Sequence, residues 1–128
     1  MNKQGAYRLK SFFRYWAPLY VYAGIIFYFS GIPKPLPDID IPFFDKALHI
    51  LEFMVFGLLA ARAFKNSHRS AFFANFKTLA VLVSIAYGIS DEFHQRFISE
   101  RQFSFLDMVA DGLGGTIGVL IYGSHRSA

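Results

Sequence analysis

Four long apolar stretches alternate with short polar or proline-rich connections along the chain. The stretches cover residues 13–30, 44–64, 72–97 and 104–122. Each approaches or exceeds the roughly 20 residues that an α-helix needs to cross a bilayer. The pattern therefore predicts four transmembrane helices within a single domain at residues 13–123. Residues 1–12 form a basic leader before this domain, and residues 124–128 form a short tail after it.

The connections between the stretches are suited to turns rather than to helices. The segment from Ser30 to Phe43 contains four of the five prolines, and proline cannot continue a helix. Residues 66–70 and 98–103 are short and polar. Helices that are joined so tightly pack as antiparallel neighbours. We therefore expect an all-α membrane protein that forms a four-helix, antiparallel up-down bundle.

Two glycines in the fourth stretch predict a packing surface. Gly114 and Gly118 are four residues apart and form a small-xxx-small pattern. Such a pattern lets two helix backbones approach closely. We expect the fourth helix to pack tightly against a neighbour along this face.

The composition strengthens the membrane interpretation. Hydrophobic residues make up 54% of the 128 residues and charged residues only 17%. A typical soluble domain is about 45–50% apolar and about 25% charged. The same hydrophobicity excludes a disordered chain. Because the chain has no cysteine, a disulfide framework, a thiolate metal site and a cysteine nucleophile are excluded as well.

The distribution of charge indicates an orientation. A cytoplasmic N-terminus puts no acidic residue and nine of the 13 Lys and Arg residues on the inner side: Lys3, Arg8, Lys10, Arg14, Arg62, Lys65, Arg69, Lys77 and Arg126. The outer side then carries the other four basic residues and all nine acidic residues. Basic residues concentrate on the cytoplasmic side of membrane proteins, so both termini should face the cytoplasm. The basic residues form no recognition motif, and we expect no nucleic-acid partner.

Polar residues interrupt three of the four stretches near their predicted outer ends. They are Asp45, Lys46, His49, Glu52, Asp91, Glu92, His94, Gln95, Arg96, Asp107 and Asp111, with Arg101 in the preceding loop. Within the second stretch, Asp45, His49 and Glu52 are spaced i, i+4, i+7 and share a helix face. A charge facing lipid costs at least about 2.5–3.5 kcal/mol. We therefore expect the three helices to surround a hydrated, acidic pocket that opens outward.

The charges within this layer do not balance. Six carboxylates accompany three basic residues, which leaves an excess of three negative charges when the histidines are neutral. Carboxylates that lie close together cannot all ionise without compensation. Either some of them are protonated, which suits acid–base chemistry, or a cation binds there. That cation would be a divalent metal or the amine of a lipid or ligand.

Two segments of this layer resemble the signatures of a known family. Residues 45–57 follow D-K-x-x-H-x-x-E-F-x-x-x-G, and residues 91–115 follow D-E-x-x-Q-x-F-x-x-x-R-x-x-S-x-x-D-x-x-x-D-G-x-G-G. Together they resemble the VanZ-like family over about residues 30–120. One departure is Asp111, where the family usually carries Asn.

The resemblance implies a small polytopic protein of the bacterial cytoplasmic (inner) membrane with a role in the cell envelope. The member that names the family is linked to resistance to the glycopeptide teicoplanin. Expected partners are therefore membrane lipids, a lipid-linked wall precursor or a glycopeptide. The resemblance implies no particular reaction.

Three functions remain open for the polar layer. An enzyme acting on a phospholipid or a wall precursor would use His49, Glu52, Asp91 and Glu92 as catalytic residues. Its substrate would be bound by Lys46, Gln95, Arg101, Asp107 and Asp111. A divalent metal would have Asp91, Glu92, Asp107 and His49 as candidate ligands. A binding module would hold a lipid headgroup or an antibiotic in the same pocket without turnover, and a proton-coupled transporter would need a homodimer.

Several of these residues also have structural interpretations. Ser104 and Asp107 match the [ST]-x-x-[DE] pattern of a helix N-cap. Asp45 and Lys46 suit the first turn of a helix at the water interface. His49 would equally serve as a buried histidine bonded to a helix carbonyl.

Overall fold

The computed structural model of the chain describes residues 1–33 and 41–127, with side chains up to residue 125. Every regular element in these ranges is a helix, so the predicted all-α class is confirmed for them. Residues 34–40, at the centre of the predicted proline-rich connection, lie outside the described residues, as does the side chain of Arg126.

Six α-helices and one π-helical turn make up the described chain. They are α1 (Lys3–Ser11), the π-helical turn (Phe12–Trp16), α2 (Ala17–Ser30), α3 (Phe44–Lys65), α4 (Ser70–Ala74), α5 (Phe76–Gln95) and α6 (Phe105–Ser127). The predicted basic leader is itself helical and continues through the π-helical turn into α2. The side chain of Asn2 accepts a hydrogen bond from the N–H of Gly5 and thereby caps its first turn.

The π-helical turn has a local cause. Pro18 has no N–H to donate to the carbonyl of Arg14, four residues earlier. The N–H of Ala17 donates instead to the carbonyl of Phe12, five residues earlier, which widens the helix by one residue. Nη1 of Arg62 in α3 donates to the Arg14 carbonyl at 2.7 Å. This bond ties the first helix to the C-terminal end of α3.

The third apolar stretch is not the single helix, 72–97, that its hydropathy predicts. The structure divides it into α4 and α5 at Asn75, whose backbone leaves the helical conformation (φ −112°, ψ 25°). The Asn75 side chain donates to the carbonyl of Ala71 at 2.9 Å. It satisfies a carbonyl at the end of α4, and such side-chain bonds compete with continued helix.

Helices α3 and α6 lie side by side and run in the same direction. Gly114 lies against Ile50, and Gly118 lies against Met54. A Cβ at either glycine would overlap the α3 backbone. The prediction that these glycines form a close-packing surface is therefore confirmed. Helix α5 packs against α6 and is antiparallel to it. Ser84 of α5 contacts Gly115 of α6, and Gly88, one turn later in α5, contacts Asp111, one turn earlier in α6.

Two of the helices in the described ranges are long and apolar enough to cross a membrane, Phe44–Lys65 and Phe105–His125. Helix α2, counted without the π-helical turn and α1, has 14 residues and is shorter than these two. Helix α5 carries the charged residues Lys77, Asp91 and Glu92 near its ends. Large apolar side chains are exposed on several helices, among them Tyr20, Ile25, Tyr28, Leu51, Leu82, Leu113 and Leu120. Exposed apolar surface on this scale indicates contact with lipid or another protein rather than with water.

Candidate functional site

Ionisable side chains from three helices meet where α3 and α6 begin and α5 ends. His49 comes from α3, Glu92 from α5 and Asp111 from α6, and one ligand atom of each lies within 4.8 Å of the other two. Glu92 and Asp111 are completely buried, each with 0% of its surface exposed. We call these three residues the His49–Glu92–Asp111 cluster.

The imidazole of His49 lies between two carboxylates of α6. Its Nδ1 is 2.7 Å from Oδ1 of Asp111, and its Nε2 is 3.7 Å from Oδ2 of Asp107. The space for the Asp111 side chain exists because residue 88 of α5 is glycine. A Cβ at Gly88 would lie 2.8 Å from the Cβ of Asp111, which is too close for two carbon atoms.

Glu92 is oriented by the start of α6. The N–H of Ser104 donates to Oε2 of Glu92 at 3.2 Å. The hydroxyl of Ser104 accepts a hydrogen bond from the N–H of Asp107 at 3.3 Å, which is an N-cap bond. The predicted N-cap is therefore confirmed, and the capping residue also positions a carboxylate of the cluster.

Two carboxylate oxygens of the cluster have no hydrogen-bond partner within the described part of the chain. They are Oε1 of Glu92 and Oδ2 of Asp111, and both are buried. A buried polar atom without a partner costs about 1–3 kcal/mol, and more when it is charged. A proton or a cation would compensate for these two oxygens, which is the choice that the charge count posed from the sequence.

Lys46 lies at the rim of the cluster. Its ammonium is 2.6 Å from a carboxylate oxygen of Asp45 and 2.6 Å from one of Asp107. The Lys46 side chain is 23% exposed, whereas that of Asp45 is 64% exposed. The ammonium is thus shared between an exposed acid and a buried one, and the Lys46 side chain is itself partly exposed.

Arg101 supports the end of α2. Its Nε donates to the carbonyl of Ile32 and its Nη2 to the carbonyl of Phe29, both at 3.1 Å. A cationic donor at the C-terminus of a helix satisfies carbonyls that have no partner within the helix. The sequence offered no signal for this contact because it joins residues about 70 positions apart. The role of Arg101 as a headgroup ligand stays a prediction.

The remaining predicted site residues lie near the cluster. Asp91 and Gln95 are buried one turn apart in α5, with a long contact of 3.5 Å between Nε2 of Gln95 and Oδ2 of Asp91. Glu52 lies three residues after His49 in α3, on the same face of that helix.

The three-donor cluster differs from the predicted set of metal ligands. His49 and Glu92 belong to both, but Asp111 joins them in place of Asp91 and Asp107. Helical spacing alone did not favour Asp111 over Asp107, because both lie on the same face of α6 and the choice depends on which residue faces α5.

Two tyrosines that the sequence analysis did not single out position the helices around the site. The hydroxyl of Tyr22 donates to the backbone carbonyl of Glu52 at 2.7 Å, and that of Tyr87 donates to the carbonyl of Ala23. His94 lies outside the cluster. Its ring stacks on that of Phe27 at a centroid distance of 4.3 Å.

A cavity of about 330 Å³ lies at the opposite end of the molecule. Its lining residues are Arg8, Ser11, Phe12, Trp16, Ser67, His68 and Arg69. It does not include the residues of the His49–Glu92–Asp111 cluster. The outward-opening pocket that the sequence predicts at the cluster stays a prediction.

The fold and the site define an all-helical protein that has bilayer-length apolar helices and a buried cluster of ionisable side chains between three of its helices. A family model described as VanZ/LLP1 matches residues 4–125. The chain therefore belongs to the VanZ/LLP1 family, which confirms the resemblance seen in its sequence. Family membership and the two apolar helices together indicate a membrane protein.

The chain is also similar to a curated protein of the yeast Schizosaccharomyces pombe that is described as uncharacterised. The two are 31% identical over 86 residues, which cover 66% of this chain and 50% of the relative. The chain thus spans about half the length of the curated relative it matches. Because this relative is eukaryotic, the similarity does not place the chain in a bacterium, and the bacterial inner membrane stays a prediction. No solved structure matches the chain significantly.

Proposed function

We propose that this VanZ/LLP1 protein spans the membrane four times with both termini in the cytoplasm, and that it binds the headgroup of an amphiphilic envelope lipid at its outer end. The observation that carries the proposal is the ammonium of Lys46, which lies 2.6 Å from carboxylates of Asp45 and Asp107 at the rim of the buried ionisable cluster. Such a concentration of ionisable groups within membrane helices is expensive and is characteristic of functional sites.

Helix length supports four spans. Helices α3 and α6 meet the length and hydropathy of a transmembrane helix. The first helix runs from Lys3 through the π-helical turn to Ser30, and α5 has 20 residues. Both therefore reach the roughly 20 residues needed to cross the hydrocarbon core.

The charges at the outer end favour a zwitterionic headgroup. Lys46, whose side chain is 23% exposed, would offer its ammonium to a phosphate, and the guanidinium of Arg101 suits phosphate through its planar arrangement of donors. The acids near these two cations suit an amine. Among them, Glu52 has no hydrogen bond or ion pair to its carboxylate within the described residues. A phosphoethanolamine lipid carries both groups, and a lipid-linked wall precursor would use the phosphate contacts alone.

Such binding offers a route to the glycopeptide phenotype of the naming family member. Glycopeptides act at the outer surface, where a protein that holds an envelope lipid would change what is exposed to them. We place this effect downstream of lipid binding and do not require the chain itself to contact the antibiotic.

Native mass spectrometry of the purified protein tests headgroup binding. The protein is released from nanodiscs of phosphatidylcholine that contain one tenth phosphatidylethanolamine. We expect phosphatidylethanolamine to be retained in clear excess over its share of the bilayer. Lys46→Gln should reduce the retained amount at least fivefold, whereas Lys10→Gln, at an exposed lysine of the inner end, should not change it. Retention in proportion to the bulk lipid, or equal retention by the two variants, would overturn the proposal.

Hydrolysis of the bound lipid is the second candidate function, and one contact favours it. The imidazole of His49 is hydrogen-bonded to Asp111, and a carboxylate that orients an imidazole is a common arrangement for a general base. Mass spectra of the lipids after incubation distinguish the two functions. Products that accumulate with the parent protein but not with His49→Gln would establish turnover, and unchanged lipids would leave binding alone.

A further inference from the structure

We propose that His49, Glu92 and Asp111 bind one divalent transition-metal ion. The proposal concerns the same end of the bundle as the headgroup site. It does not depend on that site, because it uses none of the groups that would contact a phosphate.

The first argument is geometric. Ligand atoms on one ion lie at most about 4.4 Å apart, since each metal–ligand distance is about 2.0–2.2 Å. The three donor atoms of the cluster already lie within 4.8 Å of one another. The donor atoms, which come from three different helices, would have to move together by only a few tenths of an ångström to reach a common ion.

The second argument is the unpartnered oxygens. In Glu92 one oxygen is already bonded, because Oε2 accepts from the N–H of Ser104. The other oxygen, Oε1, and Oδ2 of Asp111 are buried and have no hydrogen-bond partner among the described residues. An outer hydrogen bond such as the one from Ser104 orients a metal-ligating carboxylate and leaves its other oxygen for the ion.

The third argument is charge. Two fully buried carboxylates need about two positive charges for compensation. The neighbouring cations contact groups other than these two carboxylates among the described residues: Lys46 lies between Asp45 and Asp107, and Arg101 donates to the carbonyls at the end of α2. A divalent ion would balance Glu92 and Asp111 and leave His49 neutral, as a metal ligand must be.

The donor set selects the class of ion. One imidazole nitrogen and two carboxylate oxygens suit Zn²⁺, Mn²⁺ or Fe²⁺, whereas Ca²⁺ takes oxygen ligands only and Mg²⁺ keeps most of its waters. Three protein ligands would leave a coordination position for water.

Metal analysis of the purified chain tests the site. The protein is stripped with EDTA in detergent, incubated with Zn²⁺ or Mn²⁺, passed through a desalting column and analysed for bound metal. We expect one ion per chain. Glu92→Gln and Asp111→Asn should each weaken binding at least tenfold, and Glu100→Gln, at an exposed acid of the α5–α6 loop, should bind as the parent does.

A spectroscopic measurement on the parent protein does not depend on whether a variant folds. Electron spin-echo spectra of the Mn²⁺-loaded chain should show nitrogen modulation from an imidazole ligand. Absence of this modulation, less than one tenth of an ion per folded chain, or parent-like binding by folded Glu92→Gln and Asp111→Asn would each overturn the proposal. Protons would then be the compensating charges at the two carboxylates.

The metal site and the headgroup site fail independently in these experiments. Lys46→Gln should bind metal normally although it retains less lipid. The EDTA-stripped parent reports on lipid retention without metal. Metal binding without selective lipid retention would therefore overturn the proposed function alone, and selective retention without any metal binding would overturn the metal site alone.

Discussion

Glu92 illustrates how local and distant contacts combine at single residues of the site. It is completely buried, and one of its oxygens accepts the N–H of Ser104 while the other has no partner among the described residues. The cap at Ser104 was predictable from the [ST]-x-x-[DE] pattern because a cap involves residues three apart. The bond from Ser104 to Glu92 was not predictable, because it depends on how the loop returns from α5 to α6.

Removal of the cap should destabilise the protein modestly. Ser104→Ala deletes the hydroxyl that accepts the Asp107 N–H, and the loss of such a cap costs about 1 kcal/mol. The backbone N–H that contacts Glu92 remains. We expect a lower thermal unfolding midpoint in detergent, measured by circular dichroism. Ser99→Ala, at an exposed turn residue, serves as the control, and equal midpoints for the two variants would contradict the capping role.

Gly88 should be intolerant of even one methyl group. Gly88→Ala places a Cβ 2.8 Å from the Cβ of Asp111 and must displace it, with an expected cost of about 1–3 kcal/mol. Gly112→Ala is the matched control, since its Cβ would lie 3.6 Å from the nearest atom, in ordinary contact. Chemical unfolding curves of the two variants should differ clearly. Similar stability would show that the Asp111 side chain has room to move.

Helices α2, α3, α5 and α6 were predictable from their runs of apolar residues, but not always their limits. Hydropathy could not locate the break at Asn75, because this residue lies within an apolar stretch and acts through its own hydrogen bond to Ala71. It also missed the helical leader, whose residues are polar. The π-helical turn follows from Pro18, although its stabilisation by Arg62 required the tertiary structure.

The stability of the protein should be most sensitive to added side-chain volume at the contact between α3 and α6. Gly118→Ala would drive a Cβ into the carbonyl of Met54, at a cost of about 1–3 kcal/mol because backbone cannot move aside easily. At Gly24 a Cβ meets no atom of the described residues within 4 Å. Gly24→Ala should therefore be neutral or slightly stabilising, since alanine favours helix. Unfolding midpoints in detergent measure both, and a tolerant Gly118 would argue against close packing of the two backbones.

The whole molecule combines an apolar exterior with charges enclosed at one end. Exposed residues such as Tyr28, Leu82 and Leu120 suit a lipid environment, whereas Glu92 and Asp111 are enclosed by helices. Four membrane-spanning helices would require this arrangement, with apolar side chains facing lipid and charged side chains enclosed between the helices. The proposed orientation follows from the separation of basic residues from acidic ones along the chain.

Cysteine labelling tests the topology directly, because the chain has no cysteine of its own. Ser99→Cys lies in the proposed outer loop and should react with a membrane-impermeant maleimide in intact cells. Ser70→Cys, at the exposed start of α4, should react only after permeabilisation. The reverse pattern would invert the orientation, and labelling of both positions from outside would exclude a protein that spans the membrane four times.

The sequence by itself determined the helical class, the polar layer and the packing glycines, because each follows from the spacing of residues along one helix or from the cost of placing charge in hydrocarbon. It also carried the family resemblance, through two local motifs. Only the tertiary structure decided that α3 and α6 pack in parallel, that Arg101 caps α2, and that Asp111 rather than Asp91 or Asp107 joins His49 and Glu92. Those facts depend on the rotation and depth of one helix relative to another, which periodicity within a single helix does not specify.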